Sequence, residues 1–209
     1  MLKLYGQYRS RAFRVAWLCK ESGIPYEHVN VTINVEGAQS KESWFSAINP
    51  NARVPAIEED GFVMWESAAI NLYLAEKYNS PLWPATPKAR GRMLQWAFFT
   101  ANDVEPHMVS VMQHRVMFPP EKRNTALADA SDAALQPRLQ VLDEHLAKHK
   151  FFGGAPENPI WDMADFMVAS VCYSFFAMKY DLGKYPHFQS WLNTSVERPQ
   201  AKEARKLRE

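Results

Sequence analysis

Two short stretches of the chain combine residue types and spacing that could bind a small molecule. The first is Val54-Pro55, which stands between a loop rich in Asn and Pro and an apolar run. Proline cannot donate a backbone hydrogen bond, so this position predicts a tight turn with a candidate cis bond. The second is Glu66-Ser67, which opens the helical pattern Ala68–Tyr78. Free N–H groups and the serine hydroxyl would form an anion-binding corner there. Either stretch alone could be only a proline turn or a helix cap.

The elements that carry these stretches alternate between strands and helices. Short apolar patterns predict strands at Leu2–Tyr5, Tyr26–Val31, Val54–Glu58 and Phe62–Trp65. Asp60-Gly61 predicts a hairpin turn between the last two. Helical patterns cover Arg11–Ser22 and, more briefly, Lys41–Ala47. With the helix that Glu66 opens, the order β-α-β-(α)-β-β-α is that of the thioredoxin-like fold.

The rest of the chain predicts helices only. A proline-rich break over residues 80–87 is the expected linker between a domain of residues 1–79 and an all-α domain of residues 88–209. Helical runs cover Lys88–Phe118, kinked at Pro106, then Asn124–His149, Asp162–Lys179 and shorter pieces of Tyr185–Leu207. Asp162 and Asp165 predict a capping box on a buried central helix, with a metal or acid–base pair as the weaker alternative.

Composition excludes several classes of protein. The 209 residues hold 24 Lys and Arg against 23 Asp and Glu, so the net charge of +1 gives no general attraction to nucleic acid or membrane. Cys19 and Cys172 lie in apolar helical patterns without metal-ligand spacing. We therefore expect inert core thiols, no metal and a reducing cytoplasm. The first residues lack a signal-peptide apolar region.

Together, the proline turn, the Glu-Ser pair and the order of elements resemble a glutathione transferase, and the likeness covers essentially the whole chain. It is closest to serine-type bacterial, theta, phi and beta-like members. The resemblance implies that the backbone of Val54, before a cis Pro55, pairs with the cysteinyl part of glutathione. It also implies that Glu66 and Ser67 hold the γ-glutamyl end. Further glutathione contacts are implied for Gln39, Lys41 and Arg53.

The same resemblance places Ser10 at the position of the catalytic serine or cysteine. A thiol with a pKa near ~8.5 is mostly neutral at pH 7. Lowering that pKa by roughly two units requires about 2.7 kcal/mol, which one charge-assisted hydrogen bond and a helix end can supply. The alternatives are that Ser10 is a plain cap, or that Tyr5 contacts the thiolate. The family usually has a proline shortly before this serine, whereas this chain has Gln7-Tyr8-Arg9.

The resemblance implies an electrophile pocket between the Ser10 turn and the long helix after the linker. Its candidates are Tyr8, Arg9, His107, Met108, Val111, Met112, Arg115 and Phe118, although the methionines fit a helical packing stripe equally well. A homodimer is also implied, in which Asn102 or Asp103 of one subunit approaches glutathione on the other. Aromatic residues lie in segments near the expected interface: Trp44, Phe45, Phe62, Trp65, Trp96, Phe98 and Phe99.

The predicted function is that of a glutathione transferase, with glutathione as cosubstrate and a hydrophobic electrophile or a peroxide as second substrate. The first alternative is a non-catalytic transferase-like interaction or regulatory module. Such modules often lose the Glu-Ser pair or the catalytic residue, both of which this chain retains. The second is a glutathione-dependent isomerase, which usually carries a Ser-Ser-Cys run after the first strand; this chain has none.

Overall fold

The computed structural model describes residues 1–34, 39–155 and 157–209. The chain divides into two compact units. Unit 1 comprises Met1–Trp83 together with Arg198–Glu209, and unit 2 comprises Pro84–Glu197.

Unit 1 is built on a four-stranded mixed sheet with the order β2-β1-β3-β4. The strands are β1 (Lys3–Tyr5), β2 (Glu27–Val29), β3 (Ala56–Glu59) and β4 (Phe62–Trp65). β1 pairs parallel with β2 and antiparallel with β3, which pairs antiparallel with β4. The predicted thioredoxin-like sheet is confirmed. β3 begins two residues later than predicted, because Pro55 has no N–H to give to the ladder. Asp60 and Gly61 both have positive φ, 51° and 81°, as a tight hairpin turn requires.

The helices of unit 1 are α1 (Ala12–Ser22), α2 (Ser67–Lys77) and α8 (Pro199–Lys206), with a 3₁₀ turn at Ser43–Ala47. α8 differs from the sequence-based domain assignment, which places it with the all-α domain. The Arg198 guanidinium donates to both carboxylate oxygens of Glu21 on α1, at 3.1 and 2.8 Å. Ala201 and Ala204 are buried on the same helix. A bidentate ion pair and an apolar stripe thus tie α8 to unit 1.

Among the described residues of unit 2, the named elements are all helices, with one isolated antiparallel bridge between Ala155 and Asn158. Its helices are α3 (Pro87–Phe99), α4 (Glu105–Met112), α5 (Thr125–Leu146), α6 (Met163–Ala177) and α7 (Pro186–Val196). Wide π-helical turns at Thr100–Val104 and Gln113–Met117 flank α4. Pro106 stands in the first turn of α4. Because it lacks an N–H for the preceding turn, the predicted long helix becomes α3 and α4 joined by a widened turn.

The buried central helix predicted at Asp162–Lys179 is α6. Asp162 accepts from the Ala164 N–H at 2.8 Å, and the Asp165 carboxylate accepts from the Asp162 N–H at 3.4 Å, which forms the predicted capping box. Cys19 and Cys172 are buried free thiols, and burial raises the pKa of Cys19 to about 12. No helix within the described ranges is long and apolar enough to cross a bilayer.

Candidate functional site

The candidate site of unit 1 lies where three neighbouring strands begin or end. In the register of the sheet, Tyr5 faces Ala56 and Ala56 faces Trp65. Continuing that register by one residue places Pro55 between Gly6 and Glu66. The two motifs of the sequence therefore lie side by side, next to the turn that leads to Ser10.

Gly6 marks the closest approach of these segments. Its φ of +140° is in the region that favours glycine, and a Cβ there would lie 2.9 Å from the Ala12 Cβ and 3.1 Å from the Val54 Cβ. The end of β1, the start of α1 and the proline segment thus meet with no space for a side chain. The sequence reasoning did not single out Gly6, although a glycine between a strand and a helix is a signal for such a contact.

The Val54-Pro55 bond is cis, as predicted, and Val54 is buried against Tyr5 and Phe45. Asn49 holds the loop before this bond: its Nδ2 donates to the Arg53 carbonyl at 2.6 Å. Its Oδ1 accepts from the Asn51 N–H at 3.0 Å. Asn49 is itself buried, and the sequence reasoning missed this role. The signal was the Asn-Pro-Asn run, in which a first asparagine commonly bonds the backbone two residues on.

Glu66 precedes α2 in an unusual backbone conformation, with φ 77° and ψ 108°. A residue other than glycine in this region carries a cost of order 1–3 kcal/mol and clusters at functional sites. Glu66 is exposed, whereas Ser67, the first residue of α2, is buried. The helix begins one residue earlier than predicted, so the Ser67 side chain lies in its first turn, where free N–H groups attract an anion.

Of the three other predicted glutathione contacts, two are paired with each other and the third bonds a different segment. Gln39 pairs antiparallel with Arg53, and the Ser40 N–H donates to the Ala52 carbonyl at 2.6 Å. The Lys41 N–H donates to the Thr32 carbonyl at 2.8 Å. The side chains of Gln39, Lys41 and Arg53 are all exposed. Two cations and an amide are therefore available near the Val54-Pro55 segment.

Ser10 makes local bonds at the start of α1. Its hydroxyl donates to the Gln7 carbonyl at 2.6 Å and accepts from the Ala12 N–H at 3.1 Å. Ser10 is thus bonded within the turn that precedes α1; the residue directly before the helix is Arg11, which makes no side-chain cap bond. A hydroxyl has one proton to donate, so contact with a thiolate requires exchanging the Gln7 carbonyl for the sulfur. A charged acceptor makes a stronger hydrogen bond than a neutral one. The Ser10 hydroxyl would therefore bond a thiolate more strongly than it bonds the Gln7 carbonyl.

The hydroxyl of Tyr5, the alternative to Ser10, is hydrogen-bonded to another residue. Its ring is buried, and its hydroxyl donates to Glu58 Oε2 at 2.5 Å. Burial, with the hydrogen bond to Glu58, raises the pKa of Tyr5 to about 12. The hydroxyl that would have to face a thiolate is bonded to a carboxylate instead. This geometry favours Ser10 over Tyr5.

The predicted electrophile residues separate into several environments. Arg9 is exposed and its Nε donates to the Arg208 carbonyl at 2.9 Å. In unit 2, Met108 is wholly buried, as the packing alternative expected. His107 and Met112 are half-buried. Phe118 is also half-buried, and its ring lies edge-on to that of His114.

Val111 and Arg115 line a cavity of about 610 Å³ within unit 2. Arg115 is ion-paired with Asp129 at 2.9 Å and with Asp132 at 3.0 Å. Its guanidinium is thus engaged by two carboxylates of α5. Within unit 2, Val111 and Arg115 thus line one cavity, whereas Met108 is in the core.

The residues predicted for a dimer interface also separate. Phe62, Phe98 and Trp44 are 48%, 61% and 46% exposed, whereas Phe45 and Trp96 are interior. Trp65 is 38% exposed and Phe99 is half-buried. In the widened turn before α4, Asn102 is exposed and Asp103 is half-buried.

Comparisons with known proteins show which family the chain resembles. The family model for the glutathione S-transferase N-terminal domain matches residues 1–76, and the C-terminal domain model matches residues 107–199. Glutathione S-transferase GstB of Escherichia coli (strain K12) is 29% identical over 203 residues, which cover 95% of each chain. Glutathione S-transferase hmp2 of Hypomyces subiculosus is 30% identical over 204 residues, or 92% of each chain. A theta class glutathione S-transferase from Xanthomonas axonopodis pv. citri, crystallised with glutathione bound, superposes with a TM-score of 0.85. It is 26% identical and covers 97% of this chain and 96% of its own.

Proposed function

Because the chain belongs to the glutathione S-transferase family, we propose that it binds glutathione at the strand ends beside Gly6, Pro55 and Glu66. The observation that carries this proposal is the sheet register at Tyr5, Ala56 and Trp65, which brings these three residues next to one another when it is continued by one residue. Glutathione is a tripeptide that, when extended, can bond the Val54-Pro55 segment through its backbone and direct its charged ends to either side of that segment. The residues around the segment offer a bonding partner for the backbone and for each charged end.

The charges of glutathione are complementary to those of the corner. Its γ-glutamyl ammonium would pair with the exposed Glu66 carboxylate, and its γ-glutamyl carboxylate with Ser67 in the first turn of α2. Its glycyl carboxylate would reach the exposed side chains of Lys41, Arg53 or Gln39. The Val54 backbone would bind the cysteinyl residue between these ends. Removing one partner of a charge-assisted contact costs about 1.5–3 kcal/mol, or roughly tenfold to a hundredfold in affinity.

The reaction then follows from the thiol. We propose that the Ser10 hydroxyl turns from the Gln7 carbonyl to the glutathione sulfur and stabilises the thiolate, assisted by the start of α1. The thiolate attacks an electrophilic carbon: a carbon–sulfur bond forms, and the bond to the leaving group breaks with its electron pair going to that group. With a peroxide, the sulfur bonds one oxygen and the O–O bond breaks; the other oxygen leaves as alkoxide or hydroxide, and the sulfur is oxidised to a sulfenic acid. Ser10 acts by lowering the thiol pKa, so it changes the thiolate fraction more than the affinity.

The test compares Ser10→Ala, Tyr5→Phe and Ser67→Ala by calorimetry with glutathione and by the ultraviolet absorbance of the bound thiolate against pH. We expect Ser10→Ala to raise the pKa of the bound thiol and lower turnover, with affinity little changed. Tyr5→Phe should be nearly silent, and Ser67→Ala should weaken binding roughly tenfold to a hundredfold. Unchanged affinity in Ser67→Ala would move the site elsewhere, and an effect confined to Tyr5→Phe would give the catalytic role to Tyr5.

A second candidate function is glutathione binding without catalysis, as in a regulatory module. The observation that favours it is that the Ser10 hydroxyl already has an acceptor and a donor within its own turn. Such a protein would be retained on immobilised glutathione, would leave the thiol pKa at its solution value, and would turn over no aryl halide, epoxide or peroxide. The absorbance titration of the wild-type protein separates the two functions.

We also propose that the protein forms a homodimer and that it is located in the cytoplasm, which is a reducing compartment. Exposed Phe62 and Trp65 lie on β4, an outer strand of the sheet, and a second copy would cover such apolar surface. The free buried cysteines suit a reducing compartment. Light scattering at micromolar concentration should give twice the 24.0 kDa of the chain, and a monomer would contradict the dimer.

A further inference from the structure

Three ring side chains contact one another or the turn before Ser10 and have no role in the proposed thiolate reaction: Tyr8, Tyr26 and His28. The His28 Nε2 lies 2.6 Å from the Gly6 carbonyl oxygen. A carbonyl can only accept, so Nε2 carries the proton of this bond. His28 belongs to β2, which pairs with β1, so the bond joins the end of β1 to the neighbouring strand.

A second anchor lies two residues further along the turn. The Tyr8 ring stacks on the His28 ring, with centroids 4.1 Å apart and planes at 22°. The Tyr8 hydroxyl lies 3.1 Å from the hydroxyl of Tyr26, just before β2. Burial is the main cause that raises the pKa of both phenols, so both stay protonated at neutral pH and the bond between them persists.

These two anchors lie on either side of Gln7, whose carbonyl holds Ser10. The Gln7 oxygen accepts from the Ser10 hydroxyl at 2.6 Å and from the Ser10 N–H at 3.0 Å. Residues 7–11 contain no proline to restrict the backbone. The orientation of the Gln7 peptide, and with it the direction of the Ser10 hydroxyl, is thus set by contacts that β2 and its preceding residue make with Gly6 and Tyr8.

We propose that His28, acting with Tyr8 and Tyr26, is a positioning residue for the glutathione thiolate, a role that rests on the proposed function of Ser10. It acts through the turn: it holds Gly6 and Tyr8 so that the Ser10 hydroxyl lies where the sulfur is delivered. Tyr8 is accordingly assigned to this support and not to the electrophile pocket. Small displacements of a positioned group are costly, because a shift of about 1 Å can reduce a rate by around a hundredfold.

The experiment titrates the thiolate absorbance of bound glutathione in four variants, and measures kcat and KM for glutathione with an aryl halide as the electrophile. His28→Leu removes the ring and its donor, His28→Gln keeps a donor, and Tyr26→Phe removes one hydroxyl only. His187→Leu, at an exposed position of α7, is the matched control. We expect His28→Leu to raise the pKa of the bound thiol and reduce kcat by at least about fivefold, with KM for glutathione within about twofold. His28→Gln should recover most of the loss, Tyr26→Phe should show a smaller shift in the same direction, and His187→Leu should show none.

A double-variant cycle makes the proposal refutable independently of the proposed function. In a Ser10→Ala background, the effect of His28→Leu on the thiol pKa should disappear, because the positioned group is gone. If Ser10→Ala itself leaves that pKa unchanged, the proposed function fails. If Ser10→Ala shifts the pKa but neither His28→Leu nor Tyr26→Phe does, the positioning role is wrong. It is also wrong if glutathione affinity and melting temperature fall in parallel with kcat in Tyr26→Phe, since a merely structural role would produce that pattern.

Discussion

Replacing Asp165 by asparagine should destabilise unit 2 far more than the same replacement at an exposed aspartate. The Asp165 side chain is wholly buried. Its carboxylate accepts from the backbone N–H of Phe152 at 3.0 Å, Gly153 at 2.9 Å and Asp162 at 3.4 Å. It also accepts from the Trp191 indole N–H at 2.9 Å. One side chain thus joins the start of α6 to the loop before it and to α7.

The magnitude follows from counting acceptors. Each carboxylate oxygen receives two of these four N–H groups. An asparagine has one oxygen, and its NH₂ group would face the other two N–H groups with two further donors. Two buried donors then lose their acceptor, at about 1–3 kcal/mol each, which gives a loss of about 2–6 kcal/mol. Such a loss is a large part of the stability of about 5–15 kcal/mol that is typical of folded proteins.

The assay is urea unfolding followed by far-ultraviolet circular dichroism and tryptophan fluorescence. It should be run at pH 8, because burial raises the pKa of Asp165 to about 7 and the wild-type carboxylate must be ionised. With a slope of about 2 kcal/mol per molar urea, the midpoint should fall by about 1–3 M. Asp181→Asn is the control: Asp181 is exposed and accepts from the Gly183 N–H. Its variant should stay within about 0.5 kcal/mol of the wild type.

A shift of the urea midpoint in Asp165→Asn no larger than that in Asp181→Asn would contradict this role of the Asp165 carboxylate. That outcome would mean that the buried N–H groups find other acceptors, and that the capping box contributes nothing beyond an ordinary surface turn.

Three further substitutions, two in unit 1 and one in α3, test other parts of the fold. Glu59 accepts from Lys77 and from the Tyr78 hydroxyl, each at 2.5 Å, and these bonds lower its pKa. Its stabilisation is therefore present above the unfolded pKa of about 4.3 and is lost as pH falls through the lower folded value. The melting temperature of Glu59→Gln should be below that of the wild type at pH 7, with a gap that closes in acid; a constant gap would contradict the linkage. Gly6→Ala should unfold at lower temperature or fail to fold, because its Cβ would clash. Gly91→Ala, in α3 with no atom near its Cβ, should gain about 0.5–1 kcal/mol, and equal melting temperatures for the two variants would refute the argument at Gly6.

The sequence determined the features that depend on a few neighbouring residues. The Val54-Pro55 turn, the Asp60-Gly61 hairpin and the Asp162–Asp165 capping box were all predicted where the structure has them. Each arises from a backbone restriction or a hydrogen bond within about three residues. The strand and helix order that follows from these signals was enough to identify a thioredoxin-like unit followed by helices.

Which neighbour covers each side chain depends on how whole elements pack, and it could not be predicted from the sequence. The periodicity of apolar residues shows that Met108 lies on an apolar helix face, but it does not show whether that face packs in the core or lines a pocket. In the same way, Tyr8 is near Ser10 in sequence, yet β2 determines that its hydroxyl bonds Tyr26 and its ring stacks on His28. α8 joins α1 through Arg198 and Glu21, which are far apart along the chain. Contacts between distant residues depend on the packing of whole elements, and no local pattern of residues encodes them.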